Sequence, residues 1–168
     1  MSYLDHFQLA DNYIAHLDTV IGSITDPFIK SRYTGFLAVM AVTVYELAIK
    51  TIFIEFAGKK HKILENFANE YFYRINGKIK TSVVKEEYVS KFGEKYVNKF
   101  DAKLKEKEKE ILRSEGASVL TSYGNIITWR NDFAHKGIIP SNATYDEVKK
   151  AYYLGKNVID CLATAMQR

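Results

Sequence analysis

The sequence contains a single cysteine, Cys161, among its 168 residues. An internal disulfide is therefore excluded, and so is a zinc site built on paired cysteines. Only two prolines and nine glycines are present, which favours long helices over a fold with many turns. The first residues, MSYLDHFQLADNY, have neither a basic stretch nor an apolar run. We therefore expect no signal peptide and a reducing, cytoplasmic location.

The common catalytic and nucleotide-binding motifs are also missing. The four histidines are scattered along the chain and form no HExxH motif, so we expect no metal site. There is no Walker loop, no GxGxxG motif and no GxSxG motif. The sequence therefore predicts no cofactor and argues against a P-loop enzyme or a serine hydrolase.

Charge and hydropathy limit the choice of partners. The formal net charge is +4, carried mostly by lysine, which permits a polyanionic partner without requiring one. The longest apolar stretch, YTGFLAVMAVTVYELAIKTIFIEFAG, is interrupted by Glu46 and Lys50. Because a membrane-spanning helix needs roughly 20 consecutive apolar residues, we expect this stretch to form the central helix of a soluble domain without membrane contact.

The spacing of apolar residues predicts an all-α protein, a compact bundle of five or six helices forming one domain over residues 1–168. The first two helices are expected at about 3–24 and 27–57. Asp26 and Pro27 form a favourable start for the second helix, and Gly58 marks its end.

Residues 60–115 are expected to form a helical elaboration between the second helix and the helix that follows Gly116. Its last part, 94–113, is rich in lysine and glutamate, which is typical of a solvated helix with i,i+4 ion pairs. An arm that follows a phosphate backbone is the alternative. The next helix is expected to open at Gly116 and to stop at Gly137, and the final helix to begin with a capping box of Thr144 and Glu147.

The segment ITWRNDFAHKG, residues 127–137, places polar side chains inside an otherwise apolar helix. Asn131 and His135 are four residues apart and share one helix face, whereas Arg130 lies about 140° around the axis from His135. His135 occupies the last turn, where the negative end of the helix dipole favours an imidazolium. These residues are either the polar edge of a core helix or a site that binds and cleaves a phosphodiester.

The nonapeptide WRNDFAHKG, followed by one last amphipathic helix, resembles the HEPN ribonuclease superfamily. The hallmark of that superfamily is an arginine, a polar residue and then a histidine, in the form R-x4–6-H. Here the form is R-x4-H, with Asn131 as the polar residue. The stretches INGKIKTSVVKEEYVSKFG and YELAIK are similar to the RiboL-PSP-type branch.

This resemblance implies a metal-independent endoribonuclease whose two copies dimerise with their motif helices facing each other across a shared cleft. Arg130 and His135 would be catalytic, and Asn131 would orient them. Many relatives are toxins or antiviral effectors, which implies RNA as substrate and a possible antitoxin or regulatory partner. In some relatives the antitoxin modifies a tyrosine two residues beyond the histidine. Gly137 occupies that position here, which departs from the pattern.

Two further residues have open interpretations. Glu46 is either a satisfied carboxylate within an apolar helix or an ion-pair partner that positions Arg130. Lys136 is either a phosphate contact or a simple charge at a helix end. An alternative function is a non-catalytic HEPN-like module that binds a nucleotide or RNA, or only supplies a dimer interface. The intact pair of Arg130 and His135 favours the enzyme.

Overall fold

The computed structural model describes residues 2–138 and 143–167. Their regular structure is entirely helical, which confirms the predicted all-α class. The described residues form six long helices and one short, irregular helical segment, and a 3₁₀-helix at Ile21–Ser23 follows the first of them. In chain order they are α1 (Tyr3–Val20), α2 (Pro27–Gly58), α3 (Lys62–Tyr73), α4 (Thr81–Val83, continued by a π-helix at Val84–Tyr88 and a 3₁₀-helix at Val89–Phe92), α5 (Glu94–Glu115), α6 (Val119–Lys136) and α7 (Tyr145–Ala165).

Several helix ends follow directly from the sequence. The side chain of Asp26 accepts a hydrogen bond from the N–H of Phe28 at 2.8 Å, as expected for the start of α2. The predicted capping box of Thr144 and Glu147 is present at the start of α7. The start predicted for the motif helix is wrong, because Gly116 adopts a left-handed conformation with a φ of 64° and ends α5 instead.

Helix α2 is the centre of the bundle and packs against α1, α3, α6 and α7. The ring of Tyr45 stacks between Tyr123 of α6 and Tyr152 of α7, at centroid distances of 5.2 and 5.8 Å. Among the described residues, only α2 is long and apolar enough to cross a membrane, a test that core helices of soluble proteins also pass. Its place at the centre of the bundle matches the expectation of a core helix.

The elaboration at 60–115 builds a second, smaller apolar cluster beside α2. Phe53 of α2 stacks on Phe72 of α3 and on Phe92, with ring planes within 9° of parallel. Helix α5 buries Phe100 and Leu104, and its outer surface has ion pairs such as Lys107 with Glu110. This pattern is that of the predicted solvated helix. The pair of Lys107 with Glu110 is spaced i,i+3, and the predicted i,i+4 spacing occurs between Asp101 and Lys105.

Candidate functional site

Helix α6 carries the three residues of the R-x4-H motif and is anchored to α2. Phe133 is buried between them, and its ring lies against the backbone of Gly35, where a Cβ would collide with it. Phe36 meets the same ring edge-on at a centroid distance of 5.4 Å. This packing leaves Arg130 and Asn131 half-buried and His135 exposed.

Arg130 points toward the loop that joins α3 to α4. Its Nη2 donates a hydrogen bond to the carbonyl oxygen of Gly77 at 3.5 Å. Its Nε is buried and has no hydrogen-bond partner within the described part of the chain. Gly77 has a φ of 75°, and a Cβ at this position would collide with Nη2 of Arg130. A residue other than glycine would therefore strain the loop and displace the guanidinium.

Glu46 binds the other side of the same glycine. Its Oε2 accepts the N–H of Gly77 at 2.6 Å, and its Oε1 pairs with Nζ of Lys50 at 2.6 Å. Lys50 also donates to the carbonyl oxygen of Tyr73 at 3.1 Å. Among the described residues, Glu46 forms no ion pair with Arg130. Glu46 is instead a satisfied carboxylate, linked to Arg130 through Gly77.

Two tyrosines fix the rest of this loop. The hydroxyl of Tyr123, on α6, donates to the carbonyl oxygen of Ile79 at 2.7 Å. The hydroxyl of Tyr88 donates to the carbonyl oxygen of Lys78 at 2.9 Å. Burial raises the pKa of Tyr88 to about 12, so its phenol remains a donor near neutral pH. The surface beside Arg130 is therefore rigid, and it is built by α2, α6 and the elaboration together.

His135 lies in a different environment. Its side chain is exposed and forms no hydrogen bond or ion pair with any other described residue. It lies five positions after Arg130 in the sequence, which is about 140° around the helix and about 7.5 Å along it. The two side chains therefore diverge within one chain. The described residues also contain no group of three or more histidine, cysteine, aspartate or glutamate side chains that could hold a metal ion.

A second arginine caps the histidine end of α6. Nη1 of Arg32 donates to the carbonyl oxygen of Gly137 at 2.7 Å, and its guanidinium lies 4.6 Å from the centroid of the Phe28 ring. Lys136 pairs with Asp132 at 2.8 Å. The motif gave no indication of Arg32, because 105 residues separate it from Gly137 and only folding brings the two together.

Exposed apolar side chains surround this end of α6. We use the term flank surface for four of them, all at least 45% exposed: Phe28, Ile29, Phe36 and Ile138. The first three lie on one face of α2 around Arg32, and Ile138 directly follows Gly137. A cluster of large apolar side chains is unusual on the surface of a monomer and is typical of an interaction site.

The chain matches the model of a known protein family. The model of the family described as RiboL-PSP-HEPN matches residues 5–168, nearly the whole chain. The matched region contains the complete α6 motif and the loop that holds Arg130. No curated protein and no solved structure matches the chain.

Proposed function

The chain belongs to the RiboL-PSP-HEPN family, and we propose that it is a metal-independent endoribonuclease with Arg130 and His135 as its catalytic residues. Membership gives it a HEPN-type domain and a function related to RNA. The reaction and the assembly that performs it are our proposal. It is supported by the placement of Arg130 and His135 on α6.

RNA cleavage of this type uses a nucleophile that the substrate already contains. The 2′-oxygen attacks the neighbouring phosphorus while a base removes its proton. The bond from phosphorus to the 5′-oxygen then breaks, and an acid protonates that oxygen. The products are a 2′,3′-cyclic phosphate and a 5′-hydroxyl. An imidazole can serve as base or acid, and a guanidinium offsets the charge that gathers on the phosphorane oxygens.

The observation that carries the proposal is the exposed imidazole of His135, which forms no hydrogen bond or ion pair with another described residue. A histidine with a structural role is usually held by a hydrogen bond, as His6 is by Thr51 at 2.9 Å. His135 has no such bond within the described residues and lies free to meet a substrate. Asn131, one turn earlier on the same face as His135, would orient the two catalytic side chains.

The proposed active unit is a twofold homodimer. A single chain directs Arg130 toward Gly77 and His135 toward solvent, so one chain does not offer both groups to one phosphate. A second copy packed against the flank surface would bring two α6 helices together across a twofold axis. The cleft between them would then contain two histidines, one for each proton transfer, with Lys136 at its mouth.

A non-catalytic module is the alternative, and one contact favours it. The hydrogen bond from Arg130 to Gly77 gives this arginine a structural role even without a substrate. In that case the chain would bind RNA or a nucleotide, or serve only as a dimer interface. The exposed His135 has no part in that explanation, which is why we prefer the enzyme.

The cellular role follows from the proposed reaction. We propose a cytoplasmic toxin or phage-defence effector that acts on cellular RNA and is restrained by an antitoxin or a regulatory partner. Gly137 replaces the tyrosine that some antitoxins of relatives modify, so restraint would operate by another route. The backbone of Gly137 is already bound by Arg32 in this chain.

RNA cleavage by the purified protein in excess EDTA is the decisive test. We expect cleavage to survive chelation and to leave cyclic phosphate ends. His135→Ala should lower the rate by ~10²–10⁴-fold with little loss of RNA affinity, because it removes proton transfer but few phosphate contacts. His16→Ala, at an exposed histidine on α1, is the matched control. Strict dependence on Mg²⁺ or Mn²⁺, or full activity in His135→Ala, would refute the proposal.

A further inference from the structure

A concave groove lies between the end of α2 and the elaboration, lined by α3, the 3₁₀-helix at Val89–Phe92 and the start of α5. Its volume is about 440 Å³, and none of its lining residues belongs to α6. Six of the ten lining residues are aromatic: Phe56, Phe67, Tyr71, Phe72, Phe92 and Tyr96. A volume in the range of roughly 300–1,000 Å³ and an apolar lining are typical of sites for small molecules.

The floor of the groove is rigid, whereas one wall is open to solvent. Phe72 and Phe92 belong to the parallel stack on Phe53, and Phe72 is almost completely buried. Phe67 and Tyr71 of α3, in contrast, remain 71% and 49% exposed. These exposed rings and the packed floor below them form an apolar surface in contact with water. Removing that surface from water is favourable, so the groove favours an apolar ligand.

The only charged residues in the lining are two lysines, Lys60 and Lys91. Nζ of Lys60 lies 5.1 Å from the centroid of the Phe56 ring. Neither lysine forms an ion pair with another described residue. The groove thus combines an apolar lining with two lysines that have no ion-pair partner among the described residues. Their positive charge favours an anionic ligand.

We propose that this groove binds a small amphipathic anion, a molecule with an apolar body and one carboxylate, sulfonate or phosphate group. The apolar body would lie on Phe72 and Phe92 beneath Phe67, and the anionic group would pair with Lys60 or Lys91. A nucleotide fits less well. Apart from the two lysines, the lining side chains offer only the hydroxyls of Tyr71 and Tyr96 as hydrogen-bonding groups, and a base and ribose would lose hydrogen bonds to water.

Matched ligands test both parts of this proposal on the full chain. We would titrate the protein with anilinonaphthalene sulfonate and follow its fluorescence, then displace it with micromolar laurate or with dodecyltrimethylammonium. These two competitors share an alkyl chain and differ in the sign of the head group. Laurate should compete at least tenfold better than the cation, and AMP should not compete. Equal competition by the cation, or displacement by AMP, would overturn the proposal.

Matched variants locate the site. Phe67→Ala and the double variant Lys60→Glu/Lys91→Glu should each weaken binding of the sulfonate about tenfold or more, because each removes one of the two attractions. The controls are Tyr73→Ala, an exposed aromatic of α3 outside the lining, and Lys109→Glu on α5. Binding that is unchanged in the groove variants, or weakened equally in the controls, would show that the dye binds elsewhere. The groove lies apart from α6, so neither result depends on RNA cleavage.

Discussion

Arg130 and His135 belong to one helix, yet the structure holds their side chains in opposite ways. Arg130 lies against a loop fixed by Glu46, Tyr88 and Tyr123, and a glycine is required where its guanidinium passes. His135 has no partner in the described structure and lies beside the exposed flank surface. Contacts within the chain thus fix the arginine end of the proposed site, whereas the histidine end is exposed to solvent.

This difference fits the different tasks that we propose for the two groups. A cation that stabilises a transition state is most effective when it is oriented before the reaction, since no reorganisation is then needed. A proton-transfer group must instead reach the substrate, and a buried imidazole could not do so. In the homodimer that we propose, the second copy would therefore complete the site at the histidine end.

Removal of Arg130, whose guanidinium is fixed before a substrate binds, should have the largest effect on cleavage. We expect Arg130→Ala to lower the cleavage rate about 100-fold or more and also to weaken RNA binding, because the guanidinium attracts the phosphate in both ground and transition states. Arg130→Lys should recover only part of the rate, since an ammonium cannot form two parallel hydrogen bonds. Single-turnover cleavage and RNA titration would measure the two effects. Arg113→Ala, at an exposed arginine on α5, should behave as wild type.

The second largest effect is expected from a charged substitution in the flank surface, which should disrupt the proposed dimer. We expect Ile138→Glu to convert a dimer into a monomer and to reduce cleavage in proportion, because an apolar contact would have to bury a carboxylate. Leu9→Glu, at a similarly exposed position on α1, should leave the dimer intact. Sedimentation at micromolar concentration separates the outcomes. A wild-type protein that cleaves RNA as a monomer would remove the need for a composite site.

A pair of glycine substitutions sharpens the role of the loop. Gly77 and Gly116 both have left-handed backbones, with φ values of 75° and 64°, but only at Gly77 would a Cβ meet Arg130. Each change to alanine should cost about 1 kcal/mol of stability from backbone strain. Gly77→Ala should also lower cleavage on the order of tenfold, by displacing the guanidinium. Equal cleavage by the two variants would show that the position of Arg130 does not depend on this loop.

Most of the fold could be predicted because its signals are local. Apolar periodicity, the start at Asp26 and Pro27 and the capping box at Thr144 gave the all-α class and several helix ends correctly. Gly116 was misplaced, because a glycine between two helices can end the first or open the second. Only the backbone conformation and the cap supplied by Ser118 distinguish the two cases.

The surroundings of the proposed site were less predictable. The motif gave Arg130, Asn131 and His135 as a hypothesis, and their catalytic roles remain one. Gly77 was visible only as part of a turn, because its contact with Arg130 joins positions 53 residues apart. No sequence pattern indicated that Arg32 contacts the end of the motif helix. Pairing across such distances depends on how α2, α6 and the loop pack, and a single sequence does not encode that packing in any local pattern.

The smallest expected effect is on the pH dependence of stability. It comes from His6, a buried histidine with a hydrogen-bond partner, which contrasts with His135. His6 is buried on α1, next to Thr51, and burial lowers its pKa from the ordinary 6.5, more than the nearby Asp5 raises it. The folded state therefore prefers the neutral imidazole. Its contribution to stability is complete above pH 6.5 and is lost as the pH falls through the lower, folded-state pKa.

We accordingly expect the urea midpoint of the wild type to fall slightly more between pH 7.5 and 5 than that of His6→Gln. Glutamine keeps a group that can hydrogen-bond Thr51 but does not titrate. His135→Ala should leave the urea midpoint at pH 7.5 unchanged, because the exposed side chain makes no hydrogen bond or ion pair with another described residue that its removal would break. If His135→Ala instead lowered the urea midpoint, the histidine end of α6 would be structurally engaged, and the contrast between the two ends of the site would fail.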